Sequence, residues 1–223
     1  MAVKIGENNV IAIGITGTIG SGKSLVGKML EELGIPVIDT DKVVHELLAS
    51  DNEVNNQIAA QFPNAMRIAI NRYGQEIDRR ELAKVIFADK EAKTKLEGIL
   101  HPKVRAICKE RTIDLANSRK KIKAIATLVP LLFESKRQSD YDQVWTIYCD
   151  ENILRQRLAK RDGFSEQEID LRLAGQLSQP EKCKLADKVL DNSADENYLR
   201  QQILKNLQDL KLSSPGLNNN LTG

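Results

Sequence analysis

Eight residues near the amino end, Gly17-Thr18-Ile19-Gly20-Ser21-Gly22-Lys23-Ser24, fit the spacing G-x-x-x-x-G-K-[ST]. That spacing suits the holding of a phosphate chain. Glycines let the main chain pass close to phosphate oxygens, and several N–H groups then converge at the positive end of the helix that follows. Lys23 supplies a mobile charge for the β- and γ-phosphates of a nucleotide, and Ser24 a hydroxyl for Mg²⁺. The plain alternative is a glycine-rich turn with a chance lysine. Context weighs against it: Val10–Ile15 is an apolar, β-branched run that reads as a buried strand, and Leu25–Leu33 follows with helical periodicity. The pattern therefore predicts a nucleoside triphosphate site.

Other residues have types and positions suited to phosphoryl transfer, which asks the protein for placement and charge neutralisation more than for covalent chemistry. Asp39 and Asp41 flank Thr40 just past a short apolar segment. Residues two apart in extended chain face one side, so one carboxylate can take the acceptor's proton while the other orients groups or reaches metal-bound water. Either can equally cap a helix starting near Lys42. Asn152–Arg161 carries Arg155, Arg157, Lys160 and Arg161, with Arg157 and Arg161 on one helical face. Arginines there can close over a γ-phosphate or form a solvated basic face, and spacing does not choose between the two. Asp78-Arg79-Arg80 reads as a helix cap followed by arginines that face solvent or grip an anion. His101, before Pro102, can hydrogen-bond a substrate but by itself reads as a structural or surface histidine.

The elements that must position these groups are legible in outline. Val37–Asp39, Ile122–Phe133 (broken by Pro130), Val144–Tyr148 and Lys188–Asp191 join the first run as five short strands. Thr40 to about Lys120 is rich in helix formers, with a turn signal at Asn71–Gly74. Asn152–Arg161 reads as a basic helix. Ser165-Glu166-Gln167-Glu168 is a capping box opening a helix to about Gln176. Tyr198–Leu210 is an amphipathic helix with Leu199, Ile203, Leu207 and Leu210 on one stripe. Long connections between apolar strands favour a parallel sheet covered by helices on both faces, with ligands beyond the strands' carboxyl ends.

Composition narrows the classes. The chain has 223 residues, 41% hydrophobic and 29% charged, as for a soluble globular protein of one domain with insertions or at most two domains. A net charge of +2 argues against a duplex nucleic-acid partner, and 4% aromatic residues against single-strand stacking platforms. Cys108, Cys149 and Cys183 have neither metal-site nor disulfide spacing, and read as buried thiols in a reducing compartment. Met1–Asn9 lacks the apolar core of a signal peptide, and no run is long enough to span a bilayer. A cytosolic protein is expected. Oligomeric state is not legible.

Taken together and in order, the motifs resemble the dephospho-coenzyme A kinase family over nearly the whole chain. They are Gly14–Gly17 with Ile19–Ser24, Val37-Ile38-Asp39-Thr40-Asp41, Ile77–Leu82, Val85-Ile86-Phe87, Leu96-Glu97, His101-Pro102, Pro130-Leu131-Leu132-Phe133-Glu134, Arg157-Leu158, Arg161-Asp162-Gly163, Gln176, Ala186-Asp187 and Asp191-Asn192. The resemblance implies an α/β phosphate-loop NTPase core with a five-stranded parallel sheet, a helical acceptor-binding insertion and a lid. The expected boundaries are 1–50, 120–150 and 181–212 for the core, 51–119 for the insertion, 151–180 for the lid, and a disordered tail at 213–223. It implies transfer of the ATP γ-phosphate, with Mg²⁺, to the ribose 3′-hydroxyl of dephospho-coenzyme A. By position, Asp41 is the general base and Arg157 the lid arginine on the transferred phosphate, supported by Arg161. Asp39, Asp78, Arg79 and His101 would lie near the acceptor. Residues Gly17–Leu25 would hold the nucleotide, with Ser24 on the metal. Two departures stand out: Thr18 occupies the place of a usual second glycine, and Leu25 that of a common threonine, although its N–H remains available for the α-phosphate.

Overall fold

The computed structural model describes residues 10–63, 66–67, 76–118 and 122–210. Met1–Asn9, the Asn71–Gly74 turn and the segment 213–223 lie outside them. In chain order the elements are β1 (Ile11–Gly17), α1 (Lys23–Glu32), β2 (Val37–Asp39), α2 (Thr40–Ser50), α3 (Asn52–Gln61), β3 (Met66–Arg67), β4 (Glu76–Ile77), α4 (Arg79–Ala88) and α5 (Lys90–Ala116). They continue with β5 (Ala124–Leu128), β6 (Gln143–Tyr148), α6 (Glu151–Asp162), α7 (Glu166–Ala174), α8 (Gln179–Leu185), β7 (Lys188–Asp191) and α9 (Glu196–Asp209).

Five strands form one sheet in the order β2-β5-β1-β6-β7. All are parallel. Central β1 pairs with β5 on one side (Ile13 opposite Ala126) and with β6 on the other (Thr16 opposite Thr146). β6 in turn pairs with β7, Tyr148 opposite Asp191. A parallel sheet is buried on both faces, so its strands read as continuous apolar runs. β5 has every residue buried, and Ile13, Ile15, Trp145, Ile147 and Leu190 meet Val26 and Leu30 of α1 and Leu199, Ile203 and Leu207 of α9 in one core. The stripe expected of the last helix is thus the surface that packs, with Leu210 at its edge.

The strand around residues 122–133 is shorter than its apolar run. The Val129 amide makes a last ladder bond to the Ile15 carbonyl at 2.8 Å. Pro130 then has no N–H to continue, and the chain turns, with the Ser135 amide on the Leu131 carbonyl. α7 stops two residues before Gln176 because Gly175 ends it. α8 was not anticipated, although Ser178 and Glu181 form a capping box of the same kind as Ser165 and Glu168.

The chain divides into two compact units, residues 1–38 with 112–223, and residues 39–111. The second is mainly helical, with one short antiparallel ladder, β3 with β4. It buries Val43, Leu47, Val54, Ile58, Leu82, Leu96, Leu100 and Val104. Pro102 lies inside the 27-residue α5, where it removes the amide that would pair with the Gly98 carbonyl.

Candidate active site

The phosphate-loop pattern sits where the central strand hands over to α1. β1 ends at Gly17, and Gly20 and Gly22 adopt φ of 80° and 105°, values that side chains disfavour. Space forbids a side chain at these positions as well. A Cβ on Gly22 would stand 2.1 Å from Asn192 Nδ2, and one on Gly20 would stand 2.9 Å from Leu158 Cγ.

One contrast sets the amino end of α1 apart. α2, α3, α6, α7, α8 and α9 each start on a side-chain cap, from Asp39, Asp51, Asp150, Ser165, Ser178 and Asp195. α4 and α5 have Asp78 and Asp89 accepting from first-turn amides. α1 begins on Gly22, with no side-chain cap. The amides of Leu25 and Val26 turn back to the Gly22 carbonyl, both at 3.1 Å, and a helix start of this kind, without a side-chain cap, suits an anion. Lys23 Nζ folds across the loop to the carbonyls of Gly17 (2.8 Å) and Thr18 (3.1 Å), which keeps its charge at the cradle. Ser24 is exposed at the loop's end. From below, Asn192 Nδ2 donates to the Ser21 carbonyl at 2.7 Å, both buried. The residues present therefore fit a polyphosphate with its counter-cation.

The hairpin α6–α7 packs directly on this loop. Leu154 and Leu158 of α6 are buried with Cys149 and Ile169, and the Ile19 side chain packs against this cluster. Asp150 anchors the start of α6 by accepting from the amides of Asn152 and Ile153. Of the basic residues on α6, Arg155 is tied to Glu151 on its own helix and to Glu166 and Asp170 of α7. Arg161 pairs with Asp162 at 2.7 Å, which holds that carboxyl below its ordinary range. Arg157 is half-buried and donates from Nη1 to Cys149 Sγ at 3.4 Å. Burial pushes the Cys149 thiol up in pKa, against the opposing pull of the Arg157 charge. Three basic residues on one helix thus have different settings: Arg155 staples the hairpin, Arg161 is exposed, and Arg157 lies against the carboxyl end of β6.

Asp39, Asp41, Asp78, Arg79 and His101 belong to the second unit. Asp39 is the last residue of β2 and the cap of α2, accepting from the Asp41 amide at 3.0 Å. The Asp41 carboxylate stays exposed in the first turn. Asp78 accepts from the Glu81 amide, Arg79 opens α4, and His101 is exposed on α5.

Sequence reading missed the buried pair beneath the site. Lys182 is fully buried, and its Nζ meets Glu134 Oε1 at 2.8 Å and the Pro130 carbonyl at 3.3 Å. The only signal was the Ser178–Glu181 capping box, which announces the helix but not which of its lysines turns inward.

Comparison with known proteins identifies the family. A family model described as dephospho-CoA kinase matches residues 11–197. Proteins of that name from Carboxydothermus hydrogenoformans and Geobacillus kaustophilus are similar to the chain. The first is 37% identical over 89% of this chain and 94% of its own length, the second 38% over 87% and 94%. The structure of dephospho-CoA kinase from Campylobacter jejuni superposes with a TM-score of 0.63 at 29% identity, covering 89% of this chain and 96% of that one. A Thermus thermophilus crystal structure reaches a TM-score of 0.78 at 29% identity over 97% of this chain and all of the other. The chain belongs to the dephospho-CoA kinase family.

Proposed function

We propose that this protein transfers the γ-phosphoryl group of ATP to the ribose 3′-hydroxyl of dephospho-coenzyme A, giving coenzyme A and ADP. The observation that carries the reading is the family match across residues 11–197 on a chain whose phosphate loop is complete. The uncapped amino end of α1, with Lys23 held over the loop, is the cradle for the triphosphate. Main-chain N–H groups from Gly20 to Leu25 bind the phosphate oxygens, and Lys23 swings from the loop carbonyls to the β- and γ-phosphates. Ser24 Oγ would hold Mg²⁺, which when bound would supply further charge neutralisation. Asp41, exposed in the first turn of α2, takes the proton of the acceptor hydroxyl. Arg157 neutralises charge developing on the transferred group, and Arg161 supports the hairpin that carries it. Asp39, Asp78, Arg79 and His101 position the acceptor. The thiols Cys108, Cys149 and Cys183 suit a cytosolic setting.

Phosphorus NMR of the product tests the transfer. A new phosphomonoester at the 3′-position of dephospho-coenzyme A is expected, and it should disappear with Lys23→Ala. A product phosphorylated elsewhere, or none, would overturn the reading.

A further inference from the structure

The segment that joins α7 to α8 makes a series of contacts that neither the loop motif nor the transfer chemistry calls for. Gln176, just past the end of α7, accepts from the Ile19 amide through Oε1 at 3.0 Å. The next amide, that of Leu177, donates to Glu134 Oε1 at 2.8 Å. Gln179, at the start of α8, grips the carboxyl end of β6 from both sides. Its Oε1 accepts from the Cys149 amide and its Nε2 donates to the Cys149 carbonyl. Lys182 completes the set through Glu134 and the Pro130 carbonyl. That carbonyl also accepts from Thr16 Oγ1 on β1. Four residues out of seven making such contacts form a strap rather than a linker, anchored to the carboxyl ends of the strands around the phosphate loop.

Gln176 is the link of this strap that touches the loop itself. It holds the main chain at Ile19, whose side chain is already packed against α6 and α7. The hairpin therefore meets the same loop residue twice, by an apolar contact and by a hydrogen bond. The loop cannot shift at Ile19 without moving the far end of α7, and α7 is bound through Arg155 to the helix that carries Arg157.

We infer that Gln176 is a positioning residue that couples the α6–α7 hairpin to the phosphate loop, setting Arg157 and the loop amides in register for transfer. This rests on the kinase reading above. Gln176 touches no reacting atom. Its loss leaves the nucleotide bound but the transition state poorly matched, because preorganised groups displaced by even small amounts lose much of their effect.

Gln176→Met removes the acceptor while keeping length and volume. We expect kcat to fall roughly three- to tenfold, the range of one neutral hydrogen bond, with the KM for ATP and the Kd for ADP changed less than about twofold. The Ile19 amide resonance should shift in the nucleotide-free protein. Gln176→Glu, which retains an acceptor oxygen, should return that resonance towards its original place. Melting temperature should stay within about 2 °C for both variants, since the site is at the surface of the core. A rise in KM or Kd with unchanged kcat would make Gln176 a nucleotide-binding residue and overturn the inference. An unmoved Ile19 resonance, or a kcat loss matched by a large fall in melting temperature, would do the same. Because the ADP affinity and the amide resonance need no acceptor, they test the coupling even if dephospho-coenzyme A proves not to be the substrate.

Discussion

At the scale of single residues, the account turns on what each carboxylate and cation is free to do. Asp39 and Asp41 are two apart, and the bare sequence assigns either to capping or to catalysis. The hydrogen bond from the Asp41 amide to Asp39 Oδ1 makes Asp39 the cap of α2, and the proposed base is Asp41. Asp41→Asn is expected to slow transfer by about 10²–10⁴, the usual share of a positioned base, with ATP affinity and melting temperature little changed. Asp39→Ala should cost about 0.5–2 kcal/mol of stability as a lost cap, most of which Asp39→Asn would retain. Parallel kinetics and thermal melts of the three variants check the division of roles, and a slower Asp39→Asn than Asp41→Asn would reverse it. For Arg157→Ala, kcat should fall much more than ATP affinity, measured by steady-state kinetics beside a nucleotide titration. A change confined to KM would make Arg157 a binding group.

At the scale of elements, the glycine-rich loop, its strand and its helix were legible because each obeys a local rule: an apolar run, a fixed spacing, a 3.6-residue period. The capping box at Ser165 announced α7 for the same reason. Buried polar contacts obey no local rule. Asn192 fixes the loop from a distance of 171 positions, and Lys182 pairs with Glu134 across 48 (182 against 134). Only tertiary structure reveals which of several lysines on a short helix faces inward. Pro130 was read as a break in a strand, whereas it is the point at which the strand ends and its carbonyl becomes a shared acceptor. The Glu134–Lys182 pair also makes a prediction. Removing one partner of a buried pair leaves an uncompensated charge, worth about 3 kcal/mol here, the lower end of the usual range because Glu134 keeps 19% of its side-chain surface exposed. Glu134→Gln should therefore unfold at lower urea. The double variant Glu134→Gln with Lys182→Met should recover part of the loss, and if it is merely additive the pair is not coupled.

The two capping boxes carry a pH dependence whose sign is fixed. Bonds from Ser165 and Ser178 hold the Glu168 and Glu181 carboxyls below their ordinary range. Both groups therefore add stability that is fully present above the ordinary glutamate pKa of about 4.3, and it is lost as pH falls through the depressed folded values. Melting temperatures of the paired variant Ser165→Ala with Ser178→Ala should lie below the parent at neutral pH, and the gap should narrow in acid without closing, because the serine caps on the Glu168 and Glu181 amides do not titrate. A gap that widens on acidification would contradict this.

At the scale of the whole molecule, the sheet order β2-β5-β1-β6-β7 brings the phosphate loop, the Pro130–Glu134 turn, Cys149 and Asn192 to the carboxyl ends of neighbouring strands. That is the edge where parallel sheets bind ligands. The loop motif alone is compatible with many kinases. The acceptor is specified instead by motifs spread over nearly the entire chain, and so it is the acceptor that most needs measuring. ATP consumption should be followed with dephospho-coenzyme A, adenosine, AMP and shikimate offered in turn and in competition. The account predicts strong, acceptor-dependent turnover with dephospho-coenzyme A and little above background with the other three. Comparable turnover of any of those three, or ATP hydrolysis indifferent to dephospho-coenzyme A, would contradict it.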